Sequence, residues 1–219
     1  MALTDLQSLA RRMTRTDEAT ITAEDIDAAI RTAVWRYSLD RPRHLVAEIA
    51  VADGPVHPMP EGWENGFSAI AAIERADDDS GEPAPGSIRV EETVSGWRMR
   101  VSGSVVASVL RLRYTAPHRV SSDTDTLAER EWEAVAAYAA AHLLEQIAIA
   151  KSGDTDPSFG AQVASHGTPA QEYAARSKHL FARYREMIGT QEQRAIPAGV
   201  VVTPTPRRVG LTHGWGLVR

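Results

Sequence analysis

The chain of 219 residues contains no cysteine. That absence excludes disulfides, thiolate metal sites and a cysteine nucleophile, and it fits a reducing compartment or a particle assembled in one. No run approaches the ~20 consecutive apolar residues that a membrane span requires, so no membrane partner is expected. The opening MALTDLQSLARRMTRTDE lacks the basic-then-apolar order of a signal peptide, and none is expected. Positive charge is also in deficit: 24 Lys and Arg stand against 29 Asp and Glu, a net charge of −5. The deficit is uneven. Residues 195–219 carry Arg207, Arg208 and Arg219 and no acid, so that segment is +3 and the residues before it stand at −8. Phosphate contacts need clustered Lys and Arg, so nucleic-acid binding is not expected to be the main task of so acidic a body.

What is present fits a folded protein with one sizeable core, or one core and a smaller lobe. TAEDIDAAIRTAVWRYS predicts a helix over 22–38. Thr22 is a good N-cap, Glu24 and Asp25 suit the first turn, and Ile26, Ile30, Ala33, Val34 and Tyr37 form an apolar face. Pro42 closes it, and a shorter amphipathic piece is expected around residues 5–13. Between 44 and 120 the pattern changes to alternation in LVAEIAVADG, SIRVEETVSG, WRMRVSG and SVLRLRYTAPH, separated by GPVHPMPEG and DDDSGEPAPG as loops. This predicts a small antiparallel sheet with one covered face, Leu110, Leu112 and Tyr114 on one side and Arg111 and Arg113 on the other. FSAIAAIERA fits either a strand or a short helix.

Two long helices are expected next. The first spans 126–151, with Thr126 and Glu129 at capping-box spacing and Trp132, Val135, Ala136, Ala139, Leu143, Ile147 and Ala150 along one side. The second spans 168–189. Thr168 is its N-cap, Pro169 takes the first position, Gln171 completes the box and Gly189 ends it. Its stripe is Tyr173, Leu180, Phe181, Tyr184 and Ile188. Trp35 and Tyr138 are expected in helix packing as well. The expected fold class is α+β: a helical bundle with an inserted small antiparallel sheet and an extended C-terminal arm. Its parts are N-terminal helices (1–43), a β-rich insertion (44–120), the bundle core (121–189) and the arm (190–219).

Catalytic spacings are missing. There is no phosphate-binding Gly-rich loop, no dinucleotide fingerprint, no HExxH and no nucleophile elbow. Of seven His residues, only His142 shares a helix face with Glu145 or Gln146, a pairing that is far more often packing than metal ligation. Asp77-Asp78-Asp79 begins like a calcium loop but lacks the alternating ligands and the terminal Glu. Asp123 and Asp125, like Asp154 and Asp156, have the spacing of turns and caps. Glu129, Glu131 and Glu133 suit a helix dipole better than acid–base chemistry. No catalytic, cofactor-binding or metal-binding residue is assigned, and no cofactor is expected.

The closing segment AIPAGVVVTPTPRRVGLTHGWGLVR is the exception to this blandness. Its Pro and Gly exclude a helix, while its Val, Leu and Trp require burial. Val200, Val201, Val202, Arg207, Arg208, Leu211, Trp215 and Leu217 are therefore the candidate partner-binding residues, ordered by strand addition or an extended docking mode. Fully extended, residues 195–219 span at most ~85 Å.

Three stretches together resemble the head–tail connector (adaptor) proteins of tailed bacteriophages: ITAEDIDAAIRTAVWRYSLDRP, VLRLRYTAPHRV, and the long run from AAYAAAHLLEQ to FARYREMIG. An early helix precedes a small-residue-rich helix, a polar Asp-containing connector, and a helix carrying Tyr173, Ala174-Ala175, Tyr184 and Gly189. About half the chain is covered. The resemblance implies a structural role without an active site, in a ring beneath the portal with its twelve-fold symmetry. DNA passes through the lumen, and terminal arms reach the portal and other neck or tail proteins. It implies a virion location after synthesis in the host cytoplasm. A tail-terminator or head-completion protein is the alternative within the virion. An α+β enzyme and an intracellular binding module with a free tail are the alternatives outside it.

Overall fold

The computed structural model describes residues 2–16, 21–50, 55–75, 87–94, 96–102, 109–153 and 168–189. By its contacts the chain divides into Met1–Ile188 and Gly189–Arg219. Of the second unit only Gly189 is described. Among its described residues the first unit is a mixed α+β fold of four α-helices and two antiparallel three-stranded sheets.

The helices are α1 (Ala2–Thr14), α2 (Ala23–Asp40), α3 (Glu129–Ala150) and α4 (Pro169–Ile188). Two begin as the cap residues dictate. The Thr22 hydroxyl accepts from the Asp25 N–H at 3.2 Å, and the Asp25 carboxylate accepts from the Thr22 N–H at 2.9 Å. The Thr22 hydroxyl, donating to the Asp25 carboxylate at 2.6 Å, and then the Thr22 N–H hold the Asp25 carboxyl below its ordinary range. Thr168 and Gln171 make the same reciprocal pair at the start of α4. The expected start of α3 is corrected. Helix α3 begins at Glu129, with Ala128 as N-cap and its N–H donating to the Glu131 carboxylate at 3.0 Å. Thr126 is engaged elsewhere, its hydroxyl accepting from the Arg119 N–H at 2.8 Å, and so does not cap the helix.

Helix α3 packs against α1, α2 and α4. Burial is accordingly wider than the expected stripe: Ala137, Ala140, Ala141, Leu144 and Ala148 are buried as well, whereas Ala150 is exposed. A helix apolar around most of its circumference is an interior helix, and alanine lets its neighbours come close. Ser177 of α4 uses that closeness, donating from its hydroxyl to the buried Ala141 carbonyl at 2.8 Å. Tyr138 then meets Phe181 and Tyr184 edge-on, with ring centroids 5.1 and 5.0 Å away. Trp35 departs from its expected core position. It is 45% exposed, with its ring 5.3 Å from that of Phe67.

The β region is two sheets where one was expected. Strands β1 (Arg43–Ala50), β6 (Val109–Ala116) and β3 (Ile70–Arg75) form the first, in the order β1-β6-β3. Strands β2 (Val56–Pro58), β5 (Gly96–Ser102) and β4 (Ser87–Thr93) form the second, in the order β2-β5-β4. GPVHPMPEG, expected as a loop, supplies β2, and the ambiguous FSAIAAIERA supplies β3. Leu110, Leu112 and Tyr114 are buried as expected and share a core with Ile49 of β1 and with Met99 and Val101 of β5. On the other face Arg113 pairs with Glu74 at 2.7 Å, and Arg111 lies 3.5 Å from Glu48. Exposed pairs of this kind contribute about 0–1 kcal/mol each; the covered face does more to set the register. The β4–β5 turn places Gly96 at φ +99, a conformation that glycine adopts without strain.

All-round burial of α3 has a direct test. Ala137 lies outside the expected stripe but is fully buried, so Ala137→Leu should lower stability by about 1–3 kcal/mol through overpacking. Chemical denaturation would measure this. A neutral or stabilising result, as leucine gives on an exposed helix face, would mean that this side of α3 is uncovered.

Candidate interaction surface

The end of α2 gathers polar contacts from several elements. Pro42 forces the stop, since it offers no N–H and drives Arg41 out of the helical region, to φ −140. The Arg41 N–H still donates to the Tyr37 carbonyl at 2.7 Å. One turn earlier, the Ser38 hydroxyl donates to the Val34 carbonyl at 2.7 Å and accepts the His118 backbone N–H at 2.9 Å. His118 comes just after β6, and its ring lies between two carbonyls. Nδ1 is 3.1 Å from the Thr126 oxygen and Nε2 is 3.0 Å from the Arg41 oxygen. A neutral imidazole has one N–H and can donate to one of them; the imidazolium donates to both. The ring also packs against Tyr37, 5.3 Å between centroids.

Helix α4 is tied to the same point. Arg36 grips the Asp40 carboxylate through Nε at 3.0 Å and Nη2 at 3.1 Å, and the Tyr184 hydroxyl donates to that carboxylate at 2.7 Å. Arg41 donates from Nη2 to the carbonyl of Ile188, the last residue of α4, at 2.5 Å. Burial, then the negative charge of Glu131, pushes the Tyr37 hydroxyl up to about 12. Burial and then the bond to Asp40 raise Tyr184 as well. These phenols are held protonated, as hydrogen-bond donors rather than as bases.

Beside this junction a groove of about 680 Å³ runs between α1, α2 and the loop after β6, lined by Leu3, Ile30, Val34, Trp35 and Val120. Trp35 and Leu39, one helical turn apart, are 45% and 53% exposed, an apolar edge on an otherwise charged helix. Nothing in the groove is arranged as a nucleophile with its base. Among the described residues no group of three His, Asp or Glu side chains gathers to hold a metal ion. His142 sits 3.4 Å from Gln146 and 3.8 Å from Glu145, and His57 is buried in β2. Asp125 accepts from the Leu127 N–H at 2.9 Å, a turn as expected, and Glu133 pairs with Arg183. No described helix is long and apolar enough to cross a membrane.

The candidate arm residues Val200, Val201, Val202, Arg207, Arg208, Leu211, Trp215 and Leu217 lie outside the described residues, as do Asp77–Asp79, Asp154 and Asp156. Two features escape sequence reasoning. His118 carries no signal beyond its place between a strand and a helix. The convergence of arginines from α1 and α4 is foreshadowed only by the runs LARRMTR and ARSKHLFAR, far apart in the chain. No family model matches this sequence, and no curated protein matches it.

Replacing His118 tests the junction. His118→Ala removes a ring that lies between two carbonyls and packs on Tyr37, and should cost about 2 kcal/mol in urea denaturation. His142→Ala, at a partly exposed position whose ring contacts only its own helix at 3.4–3.8 Å, should stay within about 0.5 kcal/mol of the parent. Equal effects from the two substitutions would deny His118 its special position.

Proposed function

We propose that this chain is a structural protein of the neck of a tailed-bacteriophage particle. In this reading copies of it form a ring, twelve-fold like the portal, that joins the portal to tail or other neck proteins. DNA passes through the lumen without sequence-specific binding. The protein works by contact rather than by catalysis, needs no cofactor or metal, is made in the host cytoplasm and resides in the virion. Its architecture is a helical bundle with β structure inserted between α2 and α3 and an arm that leaves after α4.

One observation carries this reading. The three stretches that resemble head–tail connectors are remote in sequence, yet each supplies part of the junction at the end of α2. The first provides Ser38, Asp40 and Arg41, the second His118, and the third Tyr184 and Ile188. A resemblance limited to helix-forming composition would have no reason to converge on one polar cluster. Support also comes from the small-residue helix α3, which allows close helix packing, and from a carboxylate and phenol network arranged for holding elements together.

The arm gives the test. Deleting residues 195–219 should leave the unfolding transition of the body unchanged while blocking the assembly of infectious, DNA-retaining particles. Particles of normal infectivity built from the truncated chain would overturn the arm's role.

A further inference from the structure

The last turn of α1 and the outer face of α4 bring together basic side chains from opposite ends of the described fold; Thr14 and Arg176, which touch there, are 162 positions apart. A cleft of about 570 Å³ runs between the two helices. Its rim is Arg12, Arg15, Arg176, His179 and Arg183, and Met13 and Leu180 give it an apolar floor. Arg176 donates to the Thr14 carbonyl and lies 5.8 Å from the Tyr173 ring centre, and Arg183 pairs with Glu133. Arg12, Arg15 and His179 make no side-chain hydrogen bond or ion pair with the described residues. In a chain of net charge −5, this is a local reversal of sign.

Arg15 adds a second, independent observation. Its φ is +48, and it is the one described residue other than glycine at positive φ. Its N–H donates to the Arg11 carbonyl at 3.2 Å, the bond that closes a helix in a left-handed C-terminal cap. Glycine adopts that conformation without a steric penalty and arginine does not. Folding alone would be served better by glycine, and what glycine would remove is a guanidinium on the rim of the cleft.

We propose that this cleft binds a short acidic peptide segment of a partner protein, with carboxylates on the arginine rim and an apolar side chain on the floor. Arginine forks match carboxylates in bidentate geometry. A nucleic-acid backbone would also meet the rim, but it gains nothing from Met13 and Leu180, and a long polyanion is repelled by the negative body. The proposal does not rest on the ring or the arm, and its test is independent of theirs.

The experiment is fluorescence anisotropy with the full chain and a labelled synthetic peptide of Asp-Glu-Leu repeats. Saturable binding is expected, weakening about tenfold between roughly 50 and 200 mM salt. Arg12→Glu and Arg15→Gly should each weaken it by about tenfold, while Arg15→Gly melts at the same or a higher temperature, which separates binding from folding. Duplex DNA of equal charge should bind less tightly than the peptide. No saturable binding, unchanged binding by Arg12→Glu and Arg15→Gly, or tighter binding of DNA would overturn the proposal. Self-association of the parent that disappears in the same variants would overturn it too, by giving the cleft to a second copy of this chain.

Discussion

The fold depends on the constraint that both covalent links between the helices and the sheets pass through one point. The chain leaves α2 for β1 at Arg41-Pro42, and it leaves β6 for α3 at His118. Backbone groups freed at two such exits must find partners. They find each other: the Arg41 and Thr126 carbonyls face the two sides of the His118 ring, and the His118 N–H meets the Ser38 hydroxyl. Because Ser38 and Tyr37 are themselves buried in the helical core, the β region is anchored to packed residues. The end of α4 is fastened to the same turn through Asp40 and Arg41, so four elements are positioned by one helix terminus.

Around that point the two cores obey different rules. The helical core is made close by alanine: Ala136, Ala137, Ala139, Ala140 and Ala141 are fully buried in succession along α3. Little side-chain area is gained per residue there, and the larger contributions come from Tyr37, Leu6, Ile26, Ile30, Leu143 and Leu144 around it. Burying a large aliphatic side chain is worth about 1.5–3 kcal/mol, so a handful of these supplies much of the driving force while alanine sets the spacing. The β core is smaller and lies where the two sheets share Leu110, Leu112, Tyr114, Met99 and Val101. Tyr114 links it to the β2–β3 connection by donating to the Glu61 carbonyl at 2.6 Å, which satisfies a phenol otherwise taken out of water.

How much of this is legible in the sequence depends on the range of the forces involved. Thr22 with Asp25, and Thr168 with Gln171, cap their helices through residues three apart, and local chemistry suffices to see them. The alternation of Leu110, Arg111, Leu112, Arg113 and Tyr114 is likewise local. Thr126 misleads because its hydroxyl has two possible partners, and the nonlocal one, Arg119, wins. Val56–Pro58 reads as loop because Pro55, Pro58 and Pro60 around His57 hide a short edge strand whose pairing depends on Arg98–Arg100, some forty positions away. The all-round burial of α3 cannot be told from a stripe, since alanine is tolerated on either face. His118 and the α1–α4 arginines belong to sites assembled from distant residues, for which periodicity carries no signal.

A neck protein is a reading that suits these physical features. It needs a rigid body that presents the same surfaces many times around an axis, and a terminal segment free to find a neighbour. Helices clamped at one terminus suit the rigid body, and the Pro, Gly, Val, Leu and Trp composition of residues 195–219 is what the proposed arm rests on. The most direct measurement is electron microscopy of the purified chain mixed with its portal. The account predicts a closed ring of this protein seated on the portal, in register with the portal's symmetry. A portal that remains bare at saturating protein, or one that carries it in no closed ring, would contradict the account.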